Sequence, residues 1–273
     1  MKKYKTYEFP DCKNVVICGD IHGNFPQLLY KMDEYEIKDT VLIVAGDCGF
    51  GFSSKYYYKS SFGQWANRLK AVNNWILFVR GNHDNPAYFS GKVLKYKRTI
   101  LIPDYSIVKA NGNTILCIGG AVSIDRGSRL MSLKRQKQFD EMLNIPSDET
   151  DVFRYGLYWA DEMPTYDEQL LDKILSENIV DTVITHTAPS FCELLTTDGI
   201  KDWFRYDATL EADLKTERSI MDSIHAKIKD TAVINWFYGH FHQSWESEIN
   251  GIFFKMLNIM EFTDLKNKFT IGI

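Results

Sequence analysis

The chain has 273 residues, 45% of them hydrophobic and 25% charged, a globular composition that excludes a collagen, a coiled coil or a disordered chain. A net charge of −4 argues against a general nucleic-acid coat, whose affinity comes from neutralised phosphates. No run of about 18 apolar residues is long enough to span a membrane and no apolar h-region follows Met1-Lys2-Lys3-Tyr4-Lys5, while five cysteines without a Cys-x-x-Cys pair predict reduced thiols in a cytoplasmic protein.

Three nearly continuous apolar runs come first: Val15 to Cys18, Thr40 to Ala45 and Trp75 to Arg80. Such runs predict strands buried on both faces. Stripes of apolar residues predict helices between them, over Phe25 to Glu36 and Phe62 to Val72. Strand alternating with helix is the pattern of parallel βαβ units. Asn111-Gly112-Asn113 then predicts a hairpin turn between Ser106–Lys109 and Thr114–Gly119. Residues 126–150 are polar and lack a clear period, which predicts a loop with a short helix, part of an insertion around 126–165. Thr165-x-x-Glu168 reads as a capping box opening a helix to Asn178. A strand at Thr182–Thr185, a helix from Thr209 to Lys229, a strand at Ala232–Tyr238, a hairpin turning at Asn250-Gly251 and a last strand from Phe269 complete the chain. No linker or repeat interrupts it, so a single domain over residues 1–273 is expected.

Five of the six histidines, His22, His83, His186, His240 and His242, fall at or just past predicted strand ends. Asp20 and Asp47 end two strands in the same way. In an α/β sheet the C-terminal edges of parallel strands converge on one crevice, so these side chains are expected to meet. Asp-x-His and His-x-His place alternate side chains on one side of an extended backbone, and imidazole with carboxylate suits manganese, iron or zinc. Seven candidate ligands are too many for one ion and fit two.

The series Gly19-Asp20-x-His22, Gly46-Asp47, Gly81-Asn82-His83-Asp84, His186 and Gly239-His240-x-His242 resembles the calcineurin-like metallophosphoesterase superfamily. The resemblance implies an α/β fold, a four-layer α-β-β-α sandwich of two mixed sheets flanked by helices. It assigns Asp20, His22 and His242 to one divalent metal and Asn82, His186 and His240 to a second, with Asp47 bridging. It places His83 beside the metals as general acid, with Asp84 orienting its imidazole. The reaction it implies is hydrolysis of a phosphomonoester or phosphodiester by in-line attack of a metal-bridging hydroxide, with manganese the expected metal.

The branch is less sharply marked. Gly46-Asp47-Cys48-Gly49-Phe50 lacks the Asp-Arg-Gly of the protein Ser/Thr phosphatases, and Phe50 stands where purple acid phosphatases place Tyr. Gly119-Gly120-Ala121-Val122-Ser123-Ile124-Asp125-Arg126, with Tyr158-Trp159 and Glu162-Met163-Pro164-Thr165, resembles bacterial and phage-type members. Arg126 reads equally as a contact to substrate phosphate or as a structural salt bridge. The basic run Arg126, Arg129, Lys134, Arg135, Lys137 reads as a solvated face before a nucleotide-recruiting rim. Tyr56-Tyr57-Tyr58 reads as aromatic core before a base-stacking platform, and His225 as the solvent-facing side of its helix. The expected substrate is a phosphate ester of a small molecule, nucleotide or phosphoprotein. A nuclease on DNA or RNA, less favoured because of the acidic balance, and a non-catalytic scaffold on the same fold are the alternatives.

Overall fold

A computed structural model describes residues 3–91, 95–145 and 158–272. Thirteen strands run through them in two sheets. The first sheet takes β2 (Asn14–Cys18), β3 (Thr40–Val44), β4 (Trp75–Phe78) and β5 (Thr99–Leu101) in parallel, with β12 (Phe262–Asp264) antiparallel beside β2 and β13 (Thr270–Ile271) at the edge. The second sheet orders β1 (Thr6–Phe9), β6 (Ser106–Ala110), β7 (Asn113–Ile118), β8 (Thr182–Thr185), β9 (Asn235–Tyr238), β11 (Ile252–Met256) and β10 (Trp245–Ile249). Its centre, β7-β8-β9-β11, is parallel, and the β6–β7 and β10–β11 hairpins are antiparallel.

Alternation along the strands explains the layers. Val15, Ile17, Val41, Ile43, Leu77 and Val79 point from the first sheet toward Val108, Ile115, Cys117, Ile184 and Phe237 of the second, forming a core between the sheets. The opposite residues, among them Val16, Cys18, Leu42, Val44, Ile76 and Phe78, pack under α1 (Phe25–Glu34) and α2 (Lys55–Ala71). The outer face of the second sheet is covered by α4 (Glu168–Glu177) and α5 (Leu210–Ile228). The result is the expected four-layer α-β-β-α sandwich. Because every central strand is buried on both faces, the sequence shows unbroken apolar runs there.

Both predicted Asn-Gly turns are present. Asn111 and Gly112 sit at φ 48° and 78°, and Asn250 and Gly251 at 51° and 77°, the doubly left-handed backbone that twists two strands into register.

Four expectations are corrected. Helix α2 begins seven residues earlier than its apolar stripe, at Lys55, because the Ser54 side chain caps it by accepting from the Tyr57 N–H. Helix α4 is capped not by Thr165 but by Asp167, whose carboxylate accepts from the Leu170 N–H at 3.1 Å. Residues 126–142 form one long helix, α3 (Arg126–Met142), rather than a loop with a short helix; residues 146–157 of the expected insertion lie outside the described residues. His225 is buried, packed against Phe191, Trp236 and Phe254, because the second sheet's outer face claims that side of α5. Among the described residues, no helix is long and apolar enough to cross a membrane.

Candidate metal centre

The loops after β2, β3 and β4 of one sheet and after β8 and β9 of the other open at the same end of the sandwich. They carry Asp20 and His22, Asp47, Asn82 and His83, His186, and His240 and His242, respectively. The sharp exits are built from unusual backbone: His22, Asp47, His240 and His242 all have positive φ, between 44° and 71°. Left-handed non-glycine residues are costly and persist where the surrounding structure enforces them, often at functional sites. The glycines serve a different need, close approach. A Cβ on Gly46 would run into the His186 ring, and one on Gly239 into the Asp20 carboxylate.

All seven expected ligand positions lie around one pocket in two overlapping groups. Asp20, His22, Asp47 and His242 each offer an atom within 4.8 Å of one another. His22 Nε2 lies 2.9 Å from His242 Nε2, which lies 3.1 Å from Asp20 Oδ2. In the second group, His186 Nε2 lies 3.0 Å from Asn82 Oδ1 and 3.1 Å from Asp47 Oδ1. The His240 ring centre is 5.0 Å from that of His186. Asp47 therefore belongs to both groups, one oxygen toward His186 and the other 3.9 Å from His22 Nδ1.

Hydrogen bonds behind these atoms aim them. His186 Nδ1 donates to the Ala45 carbonyl at 2.8 Å, which turns Nε2 into the pocket, the usual way an outer partner fixes a ligating imidazole. The Asn82 amide donates to Ser123 Oγ at 3.0 Å, so its oxygen is the atom presented to the pocket. Ser123 is in turn gripped by Glu162, its N–H donating to Oε1 at 2.7 Å and its hydroxyl to Oε2 at 2.6 Å. Neither Ser123 nor Glu162 stood out as a site residue in the sequence, although both lie in the two segments that carry the bacterial-type resemblance.

The electrostatics are those of a crowded anionic pocket. Burial opposes charge on Asp47, but the imidazoles of His186, His83 and His22 outweigh it and hold the carboxyl well below its ordinary value. Burial likewise disfavours charge on His186, yet Asp47 and Asp20 raise it to about 9. Burial and the neighbouring His186 hold His240 well below the usual imidazole range. Burial raises the Glu162 carboxyl to about 7.

Two sequence expectations change in detail. Asp84 makes no hydrogen bond to His83. Its oxygens accept from the backbone N–H groups of Cys48, Gly49, Phe50 and Gly81 at 2.8–2.9 Å, stapling the β3 loop to the β4 loop. Burial and the nearby Asp47 push its carboxyl up to about 7 against those four donors. Arg126 is the structural salt bridge of its two readings: it is 6% exposed, and its guanidinium meets Asp207 and Asp213, each at 2.5 Å. The arginine at the site is Arg129, one turn further along α3, whose Nη2 lies 3.2 Å from His83 Nε2. His83 also stacks on Phe52, with ring centres 5.9 Å apart and planes at 9°, and its own N–H donates to Asp47 Oδ1 at 2.8 Å. Of the tyrosine triplet, Tyr58 is fully buried and Tyr56 is exposed, so no base-stacking platform is formed by all three.

The family model for calcineurin-like phosphoesterases matches residues 13–244. No curated protein sequence matches the chain. Among solved structures, the chain is similar to a dimetal phosphatase from Danio rerio, with 13% identity, 94% of this chain and 93% of that one covered, and a TM-score of 0.45. It is also similar to the phosphopantetheinyl hydrolase of Mycobacterium tuberculosis, with 13% identity, 90% of each chain covered and a TM-score of 0.37. A third is the cold-active protein-tyrosine phosphatase of a psychrophilic Shewanella species, with 17% identity, 98% and 79% covered and a TM-score of 0.38.

Proposed function

Because the chain belongs to the calcineurin-like phosphoesterase family of metal-dependent phosphoric ester hydrolases, we propose that it hydrolyses a phosphomonoester or phosphodiester at a two-metal centre. One observation carries this reading. His186 Nε2 lies 3.0 Å from Asn82 Oδ1 and 3.1 Å from Asp47 Oδ1, with His186 Nδ1 already committed to the Ala45 carbonyl. An imidazole nitrogen, a carboxylate oxygen and an amide oxygen gathered at one point form a donor set that fits a divalent metal in place of the Nε2 proton.

Asp20, His22 and His242 would hold one cation and Asn82, His186 and His240 the other, with Asp47 contributing an oxygen to each. Imidazole, carboxylate and amide oxygen without thiolate suit manganese, with iron or zinc as alternatives. When bound, such a pair supplies Lewis acidity that polarises phosphoryl oxygens and acidifies the attacking water. His83 stands at the rim, where an imidazole can deliver a proton to the leaving oxygen. Arg129 beside it places positive charge where the departing oxygen becomes negative. Asp84 keeps the β3 and β4 loops together, which sets the distance between Asp47 and Asn82.

The test is manganese titration coupled to a chromogenic ester assay. Two equivalents should bind per chain, and hydrolysis of p-nitrophenyl phosphate or its diester should vanish with chelator and return with manganese. A protein saturated with manganese that cleaves neither ester refutes the reading.

The Glu162–Ser123–Asn82 chain gives a sharper check. Glu162→Gln puts an amide nitrogen where a carboxylate oxygen accepts from Ser123, loosening the support of Asn82. Manganese affinity at one of the two sites should fall about 10–100-fold, seen by calorimetry as separation of two binding steps. Equal affinities in the variant and the parent chain would remove Glu162 from the metal centre.

A further inference from the structure

The cleft beside the ligands is far larger than a phosphate. It encloses about 940 Å³, bordered on one side by Asp47, Asn82, His83, His240 and His242, and on the other by residues of the 190–203 segment and of α5. The far wall is apolar, built from Leu194, Leu195, Ile200, Trp203 and Leu214, and Phe241, between the two ligand histidines, adds an aromatic ring to the lining. Leu194 and Leu195 are 38% and 59% exposed, and apolar side chains kept in water around a concave surface mark a place that a ligand covers.

The charged groups of that wall are engaged elsewhere. Lys201 pairs with Asp198 at 2.6 Å and Lys215 with Glu211 at 2.7 Å. Arg218 donates from Nη2 to the carbonyls of Cys192 and Leu194 at 2.5 and 3.1 Å. Its guanidinium lies 5.2 Å from the centre of the Phe241 ring, and its Nη1 is buried without a hydrogen-bond partner. Asp125, paired with Arg129 at 2.7 Å, and Asp222 also border the cleft. Beyond the metal ligands the cleft therefore offers mainly apolar surface, with its lysines already facing carboxylates, which suits an uncharged group better than a second phosphate.

Resting on the phosphoesterase reading, we infer that the substrate is a phosphate ester whose leaving group is large, uncharged and apolar or aromatic, seated against Leu195, Trp203 and Phe241. Hydrolysis breaks the bond between phosphorus and the leaving oxygen. Water's oxygen joins phosphorus and a proton goes to the leaving oxygen, releasing an alcohol or phenol. Nucleoside di- and triphosphates and nucleic acids, which carry further phosphates, are poor substrates.

The experiment compares 2-naphthyl phosphate with phenyl phosphate, whose leaving groups differ mainly in apolar size, and with a short DNA oligonucleotide, all on the manganese-loaded chain. The naphthyl ester should be favoured about tenfold in kcat/KM, and the oligonucleotide should be cleaved least. In Trp203→Ala and in Leu195→Ser, the latter at a position exposed enough to leave the fold intact, the naphthyl-to-phenyl ratio should fall to about two. Hydrolysis of both aryl esters at equal kcat/KM, a ratio that survives both substitutions, or preferred cleavage of the oligonucleotide overturns this inference and leaves the phosphoesterase reading standing. Failure to cleave any of the three under saturating manganese overturns both.

Discussion

Asp47→Asn is expected to lower metal-dependent kcat/KM by about a thousandfold or more. Asp47 is the one side chain shared by both ligand groups: Oδ1 lies 3.1 Å from His186 Nε2, and Oδ2 lies 3.9 Å from His22 Nδ1. Asparagine is nearly the same size, and its carbonyl can still accept the His83 N–H that Oδ1 accepts at 2.8 Å. The fold should survive. What changes is the other position, where an amide NH₂, two donors without a lone pair to offer, replaces an anionic oxygen facing the His22 group. One formal charge is also lost from a site that would balance two cations. The check is calorimetric stoichiometry together with kinetics at saturating manganese. A variant that binds two equivalents and keeps more than a tenth of its activity would show that Asp47 does not join the two groups.

The ligand set was legible because its signals are local. Each ligand sits just past an apolar strand, and the strand positions follow from runs such as Val15 to Cys18 that burial on both faces makes continuous. The Gly-Asp and Gly-His pairs were legible too, since Gly46 and Gly239 allow a side chain from the facing sheet's loops to approach the backbone. Helix α3 was not legible. Its buried residues are Arg126, Gly127 and Asp140, while Leu130, Met131, Phe139 and Met142 stay exposed, so no apolar period marks it. Without that period the i, i+3 relation between Arg126 and Arg129 stays hidden: the first turns to Asp207 and Asp213 and the second to His83. Glu162 was hidden by distance along the chain. A carboxylate 39 positions from the serine it holds carries no spacing signal, and only the fold shows that it stands behind Asn82. A carboxylate next to a histidine suggests an imidazole partner, whereas at Asp84 four converging backbone N–H groups outcompete a single ring nitrogen.

His83→Ala should leave both manganese equivalents in place and lower kcat by about 10²–10⁴-fold for an ester with an alkyl leaving group. The imidazole does not complete either ligand group; it stacks on Phe52 and meets Arg129, so its removal leaves the metal-facing atoms and their supports untouched. The loss should depend on the leaving group. A nitrophenolate departs without a proton, so p-nitrophenyl phosphate should lose far less, whereas an alkoxide needs the proton that His83 would supply. Burial lowers the imidazole's proton affinity and Arg129 lowers it further, while Asp47 and Asp125 act in the opposite direction. Removing the guanidinium in Arg129→Met should therefore move the pH profile for the alkyl ester upward, because the acid form of His83 then persists to higher pH. A purely structural role for either residue predicts equal losses for both esters and an unmoved profile. Equal losses in His83→Ala would therefore remove proton transfer to the leaving oxygen from His83.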